Sequence, residues 1–211
     1  MPPNLAYTVS GMDPYGKREL LDFFGRHLRH HGDSPQAVRW TARGQQRRYE
    51  AFLAVCGDLS GKSVLDFGCG KGDFLGFLQS HGVSCSYTGV DIHPDLVALA
   101  RSKHPEAEFI AADIEEHPLG GAFDVVLACG VFNLRVGGIG ESVEAILPLL
   151  FGYAREALHA NFLSARAPRH DVELHYVDPA RLLAFARERL SPAATVREDL
   201  IPEDVFLSMP R

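Results

Sequence analysis

The chain has 211 residues and a formal net charge of −6. This length suits one α/β domain with a substantial core, or at most two small domains. Its 46% hydrophobic and 23% charged residues are typical of a folded globular protein and not of a disordered one. Since surfaces that hold nucleic-acid backbones are usually basic, the acidic balance argues against nucleic acid as a partner.

The cysteine pattern and the hydropathy pattern both favour a cytoplasmic protein. The four cysteines form no CxxC pair, and no histidine cluster has the spacing of metal ligands, so we expect reduced thiols and no metal (Cys56, Cys69, Cys85 and Cys129). The N-terminus lacks the basic start and apolar stretch of a signal peptide. No apolar run approaches the roughly 20 residues of a membrane span, so no membrane partner is expected. The oligomeric state is left open.

The first 60 residues favour helices. Apolar residues at helical spacing between Leu20 and Leu28 predict one helix, and a second is predicted from Gln45 to Val55, ending at Gly57. Between them, Asp33-Ser34-Pro35 predicts a turn or a helix start. Because the first strand begins only near Lys62, these helices are expected to form a lid over a ligand site or, alternatively, only to cover one face of a sheet.

From Lys62 onward the chain alternates between strands and helices. Strands are predicted at 63–67, 87–91, 109–112, 123–128, 161–164, 194–197 and 205–209. Helices are predicted around 74–78, at 94–103, at 141–158 with a kink at Pro148, and at 179–190 after the N-cap Asp178. This alternation predicts a mostly parallel seven-stranded sheet with helices on both faces. The last two strands have no helix between them and are expected to form a hairpin, with one strand antiparallel.

A glycine-rich turn follows the first strand of that sheet. The segment Asp66-Phe67-Gly68-Cys69-Gly70-Lys71-Gly72 joins a strand end to a helix start. Without side chains at the glycines, a ligand can lie directly against the backbone, and free N–H groups at the helix start favour an anionic group. On its own the turn is also compatible with a tight connection that binds nothing.

Three further features lie at the ends of the next strands. Asp91, followed by Ile92, could accept both hydroxyls of a ribose, or could cap the next helix. Asp113, followed by Ile114, could accept from an adenine amino group while the isoleucine covers the ring, or could be a capping aspartate. The fourth strand ends in Cys129-Gly130-Val131-Phe132-Asn133, where open α/β sheets bind ligands.

Together these motifs resemble those of class I S-adenosylmethionine-dependent methyltransferases. The pattern Asp66-x-Gly68-x-Gly70-x-Gly72 resembles the cofactor motif of that family and differs from the G-x-G-x-x-G of dinucleotide dehydrogenases. Asp91, Asp113 and Phe123-Asp124 follow in the family's order, so the resemblance covers about residues 60–165. A looser likeness, to a bacterial-type subgroup without a firm substrate, extends over the chain through Trp40, Gln45-x-x-Arg48-Tyr49, Val131-Phe132-Asn133, Asn161-Phe162-Leu163-Ser164 and Tyr176-x-Asp178-Pro179.

The resemblance implies a Rossmann-like methyltransferase domain at 61–211 that binds S-adenosylmethionine, preceded by an N-terminal helical extension or lid at 1–60. The implied cofactor-binding residues are Asp66, Phe67, Gly68, Cys69, Gly70, Asp91, Ile92, Asp113, Ile114, Cys129, Gly130, Val131, Phe132 and Arg48. In this interpretation residues 67–70 line the methionine part and residues 129–132 flank the sulfonium. Arg48 would pair with the cofactor carboxylate or, alternatively, face solvent.

The sequence contains no catalytic triad, and methyl transfer needs none. His170, His175 and Tyr176 are weak candidates for a general base, because the segment after the fifth strand could face the substrate. The predicted activity is methyl transfer to an unidentified acceptor, expected to be a small molecule. The alternatives are a regulatory protein that binds the cofactor without turnover, or a nucleotide-dependent oxidoreductase on a similar sheet.

Overall fold

A computed structural model describes residues 11–211 of the chain, as a sheet with helices on both faces. The strands are β1 (Ser63–Phe67), β2 (Ser86–Asp91), β3 (Glu108–Ala111), β4 (Phe123–Cys129), β5 (Ala154–Ser164), β6 (Tyr176–Val177), β7 (Thr195–Arg197) and β8 (Asp204–Pro210). The helices are α1 (Pro14–His31), α2 (Ala42–Cys56), α3 (Asp73–Ser80), α4 (Pro94–Lys103), α5 (Ile139–Tyr153) and α6 (Pro179–Arg189), with a short 3₁₀ helix at Pro35–Val38 between α1 and α2.

The strand order is β3-β2-β1-β4-β5-β8-β7, with β6 paired to the end of β5. The strands from β3 to β5 are parallel, and β8 alone runs against both of its neighbours. The chain leaves β1 toward β2 on one side and only later returns to place β4 on the other. The carboxyl ends of β1 and β4 therefore flank the crevice where open α/β sheets bind their ligands.

Alternation along the central strands directs side chains to two apolar layers. Val64 of β1 packs with α2, α3 and α4 on one face, whereas the next residue, Leu65, packs with α5 and α6 on the other. Both side chains are fully buried, as the near-continuous apolar runs of parallel strands require. The prediction of a mostly parallel Rossmann-like sheet with helices on both faces is confirmed.

The N-terminal helices begin at side-chain caps. Asp13 accepts from the Gly16 amide at the start of α1, and Thr41 accepts from the Gly44 amide at the start of α2. Both helices were predicted, and the 3₁₀ helix stands where the Asp33-Ser34-Pro35 turn was expected. Within residues 11–211 no helix is long and apolar enough to cross a membrane.

Two details of the sequence prediction were wrong. The helix predicted at 141–158 ends at Tyr153, and residues 154–158 instead begin β5. Their composition suits a helix, but pairing of Ala154 with Phe123 and of Ala157 with Val125 overrides that preference. The sheet also has eight strands instead of seven, because the two-residue β6 is too short to show a sequence pattern.

Candidate active site

A large cavity lies at the carboxyl ends of β1, β2 and β4 and encloses about 1110 Å³, part of it open to solvent. Twelve of the fourteen residues predicted to contact a cofactor line it: Phe67, Gly68, Cys69, Gly70, Asp91, Ile92, Asp113, Ile114, Cys129, Gly130, Val131 and Phe132.

The glycine turn forms one wall of the cavity. Gly68, Gly70 and Gly72 all have positive φ (72°, 54° and 75°), a conformation that side chains disfavour. A Cβ atom added at Gly68 would lie 2.4 Å from Val131, whereas one added at Gly70 would meet only Val38, at 3.5 Å. Gly70 therefore presents bare backbone to the cavity, which is the form of wall that a closely held ligand needs.

Asp91 joins this turn to the end of β2. Its two carboxylate oxygens accept from the backbone amides of Gly70 and His93, each at 2.8 Å. Burial raises the pKa of Asp91, and these two backbone hydrogen bonds oppose that effect. A carboxylate has about four lone-pair sites, so capacity is left for two hydroxyl groups from the cavity. The capping alternative is corrected, because His93 is the N-cap of α4, and the ribose role stays a prediction.

Asp113 lies at the far end of the cavity and is held by the N-terminal helix. Lys17 of α1 contacts its carboxylate at 2.5 Å, and the Glu115 amide donates to its other oxygen at 3.0 Å. Ile114 beside it is almost completely buried. Asp113 is therefore tied to α1, a contact that the sequence did not suggest.

Asp66 lies beneath the cavity and does not line it. Its side chain is 3% exposed and accepts a short hydrogen bond from the Tyr87 hydroxyl. Burial raises the pKa of Asp66 to about 7, although the tyrosine bond acts in the opposite direction. Asp66 was predicted to contact the cofactor, but the structure places it behind the glycine turn, outside the cavity lining.

A buried polar network fixes the end of β4, and Arg48 belongs to it. The Gly130 amide donates to Asn161 Oδ1 at 2.7 Å, and Asn161 Nδ2 donates to Asp204 at 2.9 Å. Arg48 donates two bonds of 2.8 Å to the same aspartate, which is fully buried. The predicted pairing of Arg48 with a cofactor carboxylate is therefore corrected: Asp204 occupies the guanidinium, and Arg48 lies outside the large cavity.

Residues 11–60, part of the segment expected either to form a lid or only to cover one sheet face, contribute a substantial part of the cavity wall. Their lining residues are Met12, Lys17, Leu20, Phe24, Val38, Trp40 and Tyr49. The Trp40 ring lies against Gly130 so closely that a Cβ at that glycine would come within 2.4 Å of it. Arg48 also lies over the Trp40 ring, with 5.5 Å between the guanidinium carbon and the ring centre.

Ion pairs fasten the same segment to the glycine turn. Lys71, buried in the cavity wall, contacts Asp33 at 2.9 Å and Asp73 at 2.5 Å. Lys103 of α4 contacts the same two carboxylates at 3.0 and 2.6 Å. Asp33 follows α1 directly, so this cluster connects the N-terminal helices to the start of α3.

The three candidate bases lie outside the large cavity. His175 Nδ1 lies 3.1 Å from the Phe132 carbonyl, and burial lowers the pKa of this histidine. His170 is exposed and stacks on the Tyr176 ring, whose hydroxyl accepts from the Asp171 amide. The suggestion that one of them acts as a base toward a group in this cavity is not retained.

Comparisons with known proteins agree with this geometry. Residues 64–146 match the family described as Methyltransferase domain. A putative methyltransferase of Mycobacterium tuberculosis is 30% identical over 147 residues, which are 65% of this chain and 86% of that protein. A fatty-acid O-methyltransferase of Mycolicibacterium smegmatis is 31% identical over 147 residues, and the chain spans 52% of its length.

Among solved structures, magnesium protoporphyrin IX methyltransferase from Synechocystis with bound S-adenosylmethionine superposes with a TM-score of 0.67. The two are 21% identical, and the match covers 99% of this chain and 100% of the other, so it supports the fold. The chain therefore belongs to the class I S-adenosylmethionine-dependent methyltransferases. The dehydrogenase alternative is set aside.

Proposed function

We propose that the large cavity binds S-adenosylmethionine through the residues of the glycine turn and the ends of β2, β3 and β4. Residues 67–70 would hold the methionine part, Asp91 the ribose hydroxyls, and Asp113 with Ile114 the adenine. The observation that supports this best is the bare backbone at Gly70. The amide of Gly70 donates to the Asp91 carboxylate, with 2.8 Å between nitrogen and oxygen. A nucleoside lying on the turn meets that carboxylate without displacing any side chain.

The bound cofactor supplies an activated methyl group, and the task of the chain is to place an acceptor in line behind it. Gly130, fixed by Asn161, would bound the sulfonium side of the cavity together with Phe132. Positioning of two reactants contributes about 7–11 kcal/mol to such a displacement, so no base is required by the assignment. The apolar wall excludes water that would compete for the reacting centre.

The acceptor is proposed to be a small molecule. The similar proteins described above include one enzyme named for fatty acids and one named for a magnesium porphyrin. Fatty acids and porphyrins are both small molecules. The acidic net charge of −6 favours the same class over nucleic acid. The cytoplasmic location proposed from the cysteine pattern fits an enzyme of this kind.

We further propose that residues 1–60 act as a lid on a methyltransferase domain at 61–211. Lys17 at the adenine end, Trp40 at Gly130, and Asp33 at the glycine turn fasten this segment at three separate points of the cavity rim. With the product S-adenosylhomocysteine bound, residues 35–50 should exchange amide hydrogens more slowly, while α6 should not change. Equal exchange with and without the ligand would contradict the lid and leave these helices as packing.

Calorimetry on the purified chain tests the proposed function directly. S-adenosylmethionine and S-adenosylhomocysteine should each bind at one site, and NAD should not bind. A methyl-transfer assay with labelled cofactor and a panel of small acceptors then separates an enzyme from a regulatory protein, which would bind cofactor without turnover. Binding of NAD in place of both sulfur ligands would overturn the assignment of the cavity.

A further inference from the structure

Lys17 of α1 lies in the wall of the large cavity and faces three carboxylates. Its ammonium nitrogen lies 2.5 Å from Asp113 Oδ2, 3.4 Å from Glu115 Oε2 and 3.4 Å from Glu116 Oε1. Within residues 11–211, no other lysine, arginine or histidine pairs with any of the three. Lys17 is therefore the counter-ion of an acidic group of side chains that includes Asp113.

The three carboxylates repel one another. Burial raises the pKa of Glu115, and the negative charges of Asp113 and Glu116 act in the same direction, while Lys17 opposes them. Burial alone would lower the pKa of Lys17, but its bonds to the carboxylates raise it. Removing the ammonium would leave this repulsion uncompensated, and Asp113 would be driven away from its two acidic neighbours.

The Asp113 carboxylate is held at both of its oxygens. Oδ2 accepts from Lys17, and Oδ1 accepts from the Glu115 amide at 3.0 Å. Each carboxylate oxygen has about two lone-pair sites, so each keeps one for a further donor. Other cavity residues from neighbouring positions are apolar: Ile92, Leu96, Ala112 and Ile114. A fixed acceptor in such surroundings makes a stronger hydrogen bond than it would in water.

The backbone that carries Lys17 is itself fixed in place. The Lys17 amide donates to the Asp13 carbonyl at 3.0 Å, in the first turn of α1. A Cβ added at Gly16 would lie 2.0 Å from the Gly137 carbonyl oxygen, so the helix backbone touches the loop before α5. The ammonium is thus presented to Asp113 from a helix turn that is packed against a second element.

We propose that Lys17 is a positioning residue for the adenine of the cofactor. It holds the Asp113 carboxylate in place as the acceptor of the 6-amino group, and the site thereby selects adenine over a purine that lacks this group. Lys17 acts through Asp113 and need not contact the base. The inference rests on the proposed function, because it needs the adenine at Asp113, and it gives α1 a part in base selection beyond covering the cavity.

Two matched ligands test the proposal by calorimetry on the full chain. They are S-adenosylhomocysteine and its analogue with hydrogen in place of the adenine 6-amino group. The wild type should bind the first about ten- to a hundredfold more tightly, which is the contribution of one hydrogen bond to a charged acceptor. In Lys17→Met this preference should fall about fivefold, the change expected of one partly exposed ion pair. Lys17→Arg keeps the charge and should keep the preference.

Lys62→Met is the matched control, because Lys62 pairs with Glu156 at 2.5 Å and does not line the large cavity. Both its affinity for S-adenosylhomocysteine and its preference should equal those of the wild type. If Lys17 only fastens α1, Lys17→Met should lose affinity for both ligands by the same factor and keep the preference, which would overturn the proposal. A stronger preference in Lys17→Met would show that the ammonium competes with the base, and would overturn it equally.

The wild type separates failure of this proposal from failure of the proposed function. If it does not bind S-adenosylhomocysteine, the proposed function fails and the role of Lys17 fails with it. If it binds both ligands equally, the cavity still holds the cofactor, but Asp113 does not accept from the adenine and Lys17 has no part in base selection. If the wild type and Lys17→Met show the same preference, the role of Lys17 alone is overturned.

Discussion

Gly70→Val is the sharpest test of the cofactor assignment. A Cβ at this position would meet only Val38, at 3.5 Å, so the new side chain would extend into the large cavity without displacing protein atoms. It would occupy the space where the bare turn is proposed to contact the cofactor. We expect the affinity for S-adenosylhomocysteine to fall at least a hundredfold, which is a loss of about 2.8 kcal/mol in binding free energy.

The cost in stability can be worked out separately. Gly70 has φ +54°, and a side chain in the left-handed region costs about 1–2 kcal/mol per residue, more for a β-branched one. Gly82 provides a matched control, because it has φ +72° and no atom lies within 4 Å of its added Cβ. Gly82→Val should therefore lose a similar free energy of unfolding and keep its affinity for the ligand.

The assay combines urea unfolding with calorimetric titration on both variants and the wild type. Similar losses of stability with a loss of binding confined to Gly70→Val would support direct contact between the turn and the cofactor. Unchanged affinity in Gly70→Val would refute the reasoning and make the turn a purely structural feature. Equal losses of affinity in both variants would attribute the effect to destabilisation and equally refute it.

Three further predictions concern aspartates. Asp91→Asn should weaken S-adenosylhomocysteine binding about ten- to a hundredfold by calorimetry, since hydrogen bonds to a charged group contribute about 1.5–3 kcal/mol each. Unchanged affinity would leave Asp91 only its hydrogen bonds to the Gly70 and His93 amides. Asp66 has a pKa of about 7 in the folded chain, well above its value in the unfolded chain. At pH values between these two pKa values the folded state binds more protons than the unfolded state, so the free energy of unfolding falls as pH rises through that interval. Asp66→Asn can still accept from Tyr87 but does not titrate, so its stability relative to wild type in urea should rise from about pH 5 to about pH 8, and a constant difference would contradict the raised pKa. Asp204→Asn leaves the buried Arg48 guanidinium without its counter-ion and should lower the free energy of unfolding in urea by about 3–5 kcal/mol. Glu198→Gln, in an exposed pair with Arg166, should lower it by less than about 1 kcal/mol. Similar losses in the two variants would refute the buried network.

Local chemistry explains why much of the fold was predictable. The Pro94–Lys103 helix was predicted with the bounds that the structure has, because a proline suited to the first helical turn marks its start without help from distant residues. The start of β5 was not predictable in this way. Residues 154–158 carry helix-compatible side chains and become a strand only because β4 lies beside them.

The cavity wall likewise has one side that local sequence predicts and one side that it does not. The side reached from the strand ends could be predicted, because glycines and aspartates at those positions have local reasons to be there. The side formed by residues 1–60 depends on contacts between distant segments, such as Lys17 with Asp113 and Trp40 with Gly130. Sequence motifs gave no signal for these pairs. Arg48 was predicted to pair with a cofactor carboxylate or to face solvent, but it pairs with Asp204 of the protein itself.

The bond between Arg48 and Asp204 joins positions 156 residues apart, and this separation affects biosynthesis. During translation, the Arg48 guanidinium leaves the ribosome 156 residues before its partner Asp204. Until then the support behind Gly130 is incomplete, even if the earlier strands have already paired. Pairings of such long range are slow to form, so a nascent chain should complete its ligand site only after Asp204 has emerged.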